Sequence, residues 1–299
     1  MAKQKKYNYG GQAVIEGVMI RGRTSMVTAV RRPNNEINVD VKPLSSATST
    51  IRRIPLVRGV VVLIEAMVLG IQSLMHSANI SMEEEDVKLS KGAIMGMMLV
   101  SAVLVIALFF MAPLFLTKWL NNYIPTSLVF NIVEGVIRIA IFLVYLKAIS
   151  YMNDIKRVFS YHGAEHKAVN AYEAGVPMEV DAIKSYSRAH VRCGTSFLFF
   201  VLVIAIIVFT FVGRQDMWLM VVSRIVLIPV IMGLGYELIY FGAKHTKNWL
   251  IKILLTPGLW LQSLTTGEPD DKQLEVAIAA MNKAVEVDKA EEATHEASS

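Results

Sequence analysis

The chain has 299 residues with a formal charge of +5, of which 54% are apolar and 18% charged, and its mean hydropathy is +0.46. That is too apolar for an ordinary soluble domain, and it reads as an α-helical integral membrane protein of the cell membrane, multi-pass, with the lipid bilayer as its first partner. The modest charge, with no basic cluster interleaved with aromatics, excludes a nucleic-acid surface, and a single cysteine, Cys193, excludes an internal disulfide framework and fits a reducing compartment.

Residues 1–8 are a basic tail that runs into polar and glycine residues, so no signal peptide is expected and the amino end should stay cytoplasmic. Residues 9–50 read as a small cytoplasmic β unit. Within it, Pro33-Asn34-Asn35-Glu36 is turn chemistry between two alternating runs, residues 26–30 and 37–41, which predicts a hairpin. Gly10, Gly11, Gly17 and Gly22 match no phosphate-loop spacing and are assigned to turns and close backbone approaches. Glu16 is an isolated acid in an apolar, glycine-flanked strand, either facing solvent or belonging to a polar site.

Residues 51–91 hold an interfacial or re-entrant helix and an acidic loop at Glu83-Glu84-Glu85-Asp86. A full crossing would bring Arg58 and Glu65 into or near hydrocarbon, where an ionised group costs about 2.5–3.5 kcal/mol. Seven residues apart, they share a helical face and could pair or point into a protein interior. Residues 92–147 should contain transmembrane helices 1 and 2, at 93–116 and 128–146, and residues 194–243 helices 3 and 4, at 195–212 and 217–241. The fold class is thus about four transmembrane helices plus interfacial or re-entrant helices. The loop 148–193 and the chain from 244 onward carry six Lys and Arg each, against one each in the turns 118–127 and 213–216, so both termini are expected in the cytoplasm.

Inside the spans, Glu134 and Arg138 are four apart and should pair. Arg224 is expected to snorkel to the outer interface. Glu237 lies toward the cytoplasmic end and should face the bundle interior near the 148–193 loop. Residues 244–267 read as interfacial helices, an interfacial or re-entrant pair broken at Pro257-Gly258 rather than a fifth crossing. Residues 268–288 form an amphipathic helix with Leu274, Ala277, Ile278 and Met281 on its apolar face and a further contact at Val285, docked on the β unit or on a partner. Residues 289–299 are expected to be disordered, which discounts His295. Without an internal repeat, a transporter of inverted halves has little support.

The chemistry concentrates in Tyr161-His162-Gly163-Ala164-Glu165-His166-Lys167. On a helix, His162 and His166 share one face and could hold one divalent cation, zinc first. In the order H-x-x-E-H, Glu165 occupies the place of the general base in inverted zinc peptidases. Gly163 weakens the helix by about 1 kcal/mol relative to Ala. His190 and Cys193, three apart, would complete a four-ligand set; a closed set is structural, whereas three ligands and an open position are catalytic. Glu173 shares the face of His162 but lies about 10 Å beyond His166, and with Asn170 it belongs to the wider polar site alongside Glu16 and Glu237. The plainer alternatives are histidines making ordinary hydrogen bonds and Cys193 as a small buried residue at a helix start.

Gly10-Gly11-Gln12-Ala13-Val14-Ile15-Glu16-Gly17-Val18-Met19, the 161–167 motif, Arg192-Cys193-Gly194-Thr195-Ser196-Phe197 and Glu268-Pro269-Asp270-Asp271 together resemble the YqhQ family of bacterial multi-pass membrane proteins, over residues 9–285. This is a domain-of-unknown-function family, sometimes described as predicted metal-dependent enzymes. The resemblance implies a metal-linked role for His162 and His166 and marks Glu16 as a candidate carboxylate, but it supplies no reaction. Two functions follow: a membrane-embedded metal-dependent hydrolase opening at the cytoplasmic face, or a non-catalytic scaffold or assembly factor for another membrane protein. A third, transport, rests only on Glu134, Arg138 and Glu237.

Overall fold

Four short strands, β1 (Gly10–Val14), β2 (Gly17–Arg21), β3 (Ser25–Arg31) and β4 (Ile37–Pro43), form an antiparallel meander in chain order. They belong to a computed structural model that describes residues 7, 9–44, 54–82, 91–213 and 216–298. The basic start, the acidic run Glu83–Asp86 and the Arg214-Gln215 turn lie outside the described residues. The expected hairpin forms: Arg31 pairs with Ile37 across the turn, and Asn35 takes the left-handed conformation there, with φ 67°. Alternation along the strands feeds two cores, Val18, Ile20, Val27 and Ala29 on one face and Val14, Met19, Met26 and Val30 on the other.

The second face is covered by α1 (Val57–Ser81), which turns Gly70, Ser73, Ser77 and Ile80 inward. Gln12 Nε2 donates to the Gly70 carbonyl at 3.1 Å, and the Ile15 amide to Ser77 Oγ at 3.2 Å. Arg58 and Glu65 do not pair with each other. Two helical turns separate them by about 10 Å, and nearer partners exist: Arg58 forks onto Glu237, and Glu65 accepts from Arg21 at 3.0 Å.

The chain continues through α2 (Lys91–Ile106), a π-helical turn Ala107–Met111, α3 (Ala112–Trp119), α4 (Ser127–Ile149), α5 (Asn153–Ala174), α6 (Val180–Lys184), α7 (Gly194–Val212), α8 (Met217–Val226), α9 (Ile228–Lys244), α10 (Trp249–Gln262) and α11 (Asp271–Ser298). Among the described residues, four helical stretches are long and apolar enough to cross a membrane: Val57–Ser81, Met95–Tyr123, Ser127–Ile149 and Gly194–Val212. The pair α8 and α9, bent by 44°, makes a fifth if counted as one span. The bend replaces the straight helix expected over 217–241; Pro229, in the first turn of α9, has no amide to continue the ladder.

Within the bundle, Glu134, Arg138 and Arg224 are all buried. Arg138 Nη2 donates to Glu134 at 2.6 Å and Arg138 Nε to the Phe109 carbonyl in the π-helical turn at 3.0 Å, while Arg224 forks onto the same carboxylate. Arg224 therefore does not snorkel. A carboxylate within reach on α4 and the Phe209 ring, 4.8 Å from its guanidinium, offset part of its desolvation.

The segment around Pro257 is not a re-entrant pair but one continuous helix, α10. Its Pro-Gly step serves packing: a Cβ on Gly258 would lie 2.9 Å from the Phe200 ring and 3.0 Å from Ser196 of α7. Then Asp270 and Gln273 cap α11 reciprocally, with amide-to-side-chain bonds of 2.8 and 3.0 Å. Leu274, Ala277 and Met281 join the first sheet core. α11 runs through Ser298 rather than ending at 288, because Lys289-Ala290-Glu291-Glu292-Ala293 are strong helix formers. On the way its buried Asp288 accepts from Tyr9 Oη at 2.8 Å and from the Arg23 amide at 3.0 Å. Burial, with this carboxylate beside it, pushes the Tyr9 phenol up.

Candidate metal centre

α5 lies between the sheet and two irregular segments, residues 188–193 and 263–267, and buries Tyr161, Gly163, Ala164, Glu165, His166, Lys167 and Ala168. The glycine that weakens this helix is required by it. A Cβ on Gly163 would stand 2.1 Å from the Gly267 carbonyl oxygen, so only glycine lets the chain after α10 approach so closely. The Gly267 amide in turn donates to the Phe159 carbonyl at 2.7 Å.

That approach orients the first imidazole. His162 Nδ1 lies 2.9 Å from the Thr265 carbonyl, and His166 Nδ1 bonds the Arg188 carbonyl. A carbonyl only accepts, so Nδ1 of each ring carries a proton, and in the neutral imidazole Nε2 then keeps the lone pair that a metal takes. The two rings are 4.4 Å apart, centroid to centroid. Cys193 caps the start of α7, where its sulfur accepts from the Thr195 amide at 3.4 Å and lies 3.4 Å from His162 Nε2. One ligand atom each from His162, His166 and Cys193 falls within 4.8 Å of the others.

This donor set fits a borderline-soft cation. With Zn–S near 2.3 Å and Zn–N near 2.0–2.1 Å, a tetrahedral ion separates its sulfur and nitrogen ligands by about 3.5 Å, against the 3.4 Å between Cys193 and His162. Two imidazoles held in the right tautomer and a sulfur at a helix N-terminus are the chemistry such an ion takes.

Glu165 is buried beside the cluster, with Oε2 3.6 Å from His166 Nε2. Burial pushes its carboxyl up; His162, His190 and a bond from the Gly11 backbone pull the other way. Gly11 has room for this only as glycine, since a Cβ would lie 2.2 Å from the Met19 carbonyl oxygen and 3.1 Å from Glu165.

Among the described residues, the remaining sequence candidates are not part of the three-residue group. His190 is adjacent, its ring 5.8 Å from that of His166, but Nε2 is 3.6 Å from Glu173. Gln262 clasps the His190 backbone, accepting from its amide and donating to its carbonyl, both at 2.8 Å. Glu173 also takes Arg192. Burial alone would raise its carboxyl, but the bonds from His190 and Arg192 outweigh that and hold it down at about 2. Asn170 donates to the Ser187 and Ala189 carbonyls and so holds the segment that presents Arg188. Glu16 is on the β1–β2 turn rather than on a strand, at φ 53°, forked with Arg157 and reached by Tyr161 Oη at 3.3 Å. Glu237 answers Arg58. The Thr265 and Arg188 carbonyls and the Gly11 backbone carry no side-chain signal. Of the groups sequence reasoning missed, only Gln262, a lone polar residue ending an apolar run, was visible.

A family model described as "Protein of unknown function (DUF1385)" matches residues 54–287. The chain is 35% identical over 290 residues to "Uncharacterized protein YqhQ" of Bacillus subtilis (strain 168), covering 92% of this chain and 91% of that one. No solved structure matches it. The chain belongs to this family.

Proposed function

We propose that this member of the DUF1385 family is a multi-pass membrane protein with a divalent-metal centre, zinc the best fit, and that the centre serves a hydrolase opening at the cytoplasmic face. The observation that carries the reading is the commitment of both Nδ1 atoms to backbone carbonyls, with His162 Nε2 3.4 Å from the Cys193 sulfur and one ligand atom of each of the three residues within 4.8 Å of the others. Ordinary structural histidines do not need matched tautomers. His162, His166 and Cys193 would hold the metal, three protein ligands being the number that leaves a position open for chemistry. A bound zinc supplies Lewis acidity that polarises the oxygen of a scissile amide, ester or phosphate bond.

The chain's own groups do the rest. Glu165, buried and next to His166 Nε2, accepts a proton from water and returns it to the leaving group. The Thr265 and Arg188 carbonyls keep the rings from rotating, and Glu173 with Arg192 keeps His190 in its place. The cytoplasmic side is inferred from charge: the 148–193 loop and the chain from 244 onward carry six Lys and Arg each, and the short turns 118–127 and 213–216 one each. On this topology both termini are inside. α1, with one face committed to the sheet by Gly70, Ser73 and Ser77, lies along the interface rather than across it.

The test is elemental mass spectrometry on full-length protein purified without a histidine tag, beside His162→Ala, His166→Ala and Cys193→Ala. Near-stoichiometric zinc that is lost in all three variants supports the centre. Metal-free protein after zinc supplementation refutes it.

A further inference from the structure

An open groove of about 360 Å³ runs between the end of α4, the start of α5 and the residues after α10. Lys147 and Lys156 line it together with Ser150, Ser160 and Ser263 and the apolar Phe159 and Leu264. Among the described residues, neither lysine has a carboxylate partner; Lys147 meets only the Tyr151 ring, 5.0 Å from its Nζ. Two cations without an acid are the complement of a phosphate group, the Ser150 and Ser160 hydroxyls being already spent on the Lys147 and Lys156 carbonyls, and Phe159 and Leu264 suit the carbon chain attached to one.

The position selects the source. Lys147 is in the last turn of α4, one of the stretches long and apolar enough to cross a membrane. Tyr151 and Trp260, both exposed, flank the same end, the aromatic signature of the headgroup level. We propose that this groove binds the phosphate of an anionic phospholipid headgroup, with Lys147 and Lys156 as its cationic clamp. The assignment rests on α4 crossing the bilayer and is independent of the metal centre.

Full-length protein is delipidated, exposed to mixed phosphatidylcholine and phosphatidylglycerol micelles, and analysed by native mass spectrometry for the lipid it retains. Phosphatidylglycerol should be preferred, and the preference should fall about fivefold for Lys147→Gln or Lys156→Gln and about thirtyfold for the pair. Lys→Arg at both positions should keep it, as should Lys252→Gln, which removes an exposed lysine of α10 outside the groove. Unchanged preference in the double variant overturns the proposal, and so does an equal loss in Lys252→Gln. Displacement of the lipid by inorganic phosphate, bound equally well in pure phosphatidylcholine, would assign the groove to a free anion instead. Metal content, measured on the same samples, is expected to be unaffected by the lysine variants.

Discussion

Gly163→Ala sets two effects of opposite sign against each other. In a helix interior Ala is favoured over Gly by about 1 kcal/mol, so propensity alone predicts a more stable protein. The new Cβ, however, would lie 2.1 Å from the Gly267 carbonyl oxygen, where an ordinary carbon–oxygen contact is about 3.3 Å. The obstacle is backbone and cannot rotate aside, so the 263–267 segment must retreat by roughly 1 Å. That would carry the His162–Thr265 bond from 2.9 Å out of hydrogen-bond range and stretch the Gly267–Phe159 bond from 2.7 Å. Two lost bonds at about 1 kcal/mol each, plus overpacking of about 1–3 kcal/mol, exceed the propensity gain and leave a net loss of about 2–4 kcal/mol. The assay is the fraction of monodisperse protein left by size-exclusion chromatography after heating in detergent, with bound metal measured on the same samples. The midpoint should fall and metal occupancy with it. Gly96→Ala, where a Cβ meets nothing within 4 Å, should be neutral or slightly stabilising. A Gly163→Ala protein that melts higher and keeps its metal would refute the close-approach account.

Glu134→Ala leaves two buried guanidiniums without their carboxylate and should cost about 3–5 kcal/mol in the same heating assay; a loss no larger than that of an exposed charge would show the triad to be solvated. Glu173 has its carboxyl lowered from an ordinary 4.5 to about 2, so it stabilises the fold above pH 4.5, and that contribution disappears as pH falls toward 2. Glu173→Gln should therefore be less stable near neutrality, by about 1 kcal/mol after allowing for solvent at a one-third exposed group, and the difference should close at acid pH. Asp288→Ala removes the acceptor of Tyr9, Arg23 and Thr24, and limited proteolysis should then cut within α11 under conditions that leave the parent intact.

What could be read from the residues was what is decided locally. Pro33-Asn34-Asn35-Glu36 and the Asp270 cap carry their own turn and capping chemistry, and His162 and His166 meet because a helix brings every fourth residue round. Cys193, 31 residues from His162, and the Thr265 carbonyl, 103 away, join them only through packing. Local counting also misjudged partners. A pairing of Arg58 with Glu65 stood open beside an interior partner, and Arg224 was sent to the interface, because Glu237 and Glu134 are 179 and 90 residues distant in the chain. Gly163 was a penalty in a propensity scale, and only the three-dimensional approach of Gly267 turns it into a requirement.

The way the two ends of the chain are joined bears on the order of assembly. Leu274, Ala277 and Met281 close the core that β2 and β3 open, and Asp288 fastens Tyr9 and the β2–β3 turn. A ribosome delivers those strands well before that helix. Throughout synthesis of the apolar helices, then, the sheet waits with one side unsealed, and Thr265, which sets His162, emerges only after the last of them. The histidine–cysteine cluster is thus completed only after the apolar helices have been made, and any ion it holds in this arrangement is acquired after them.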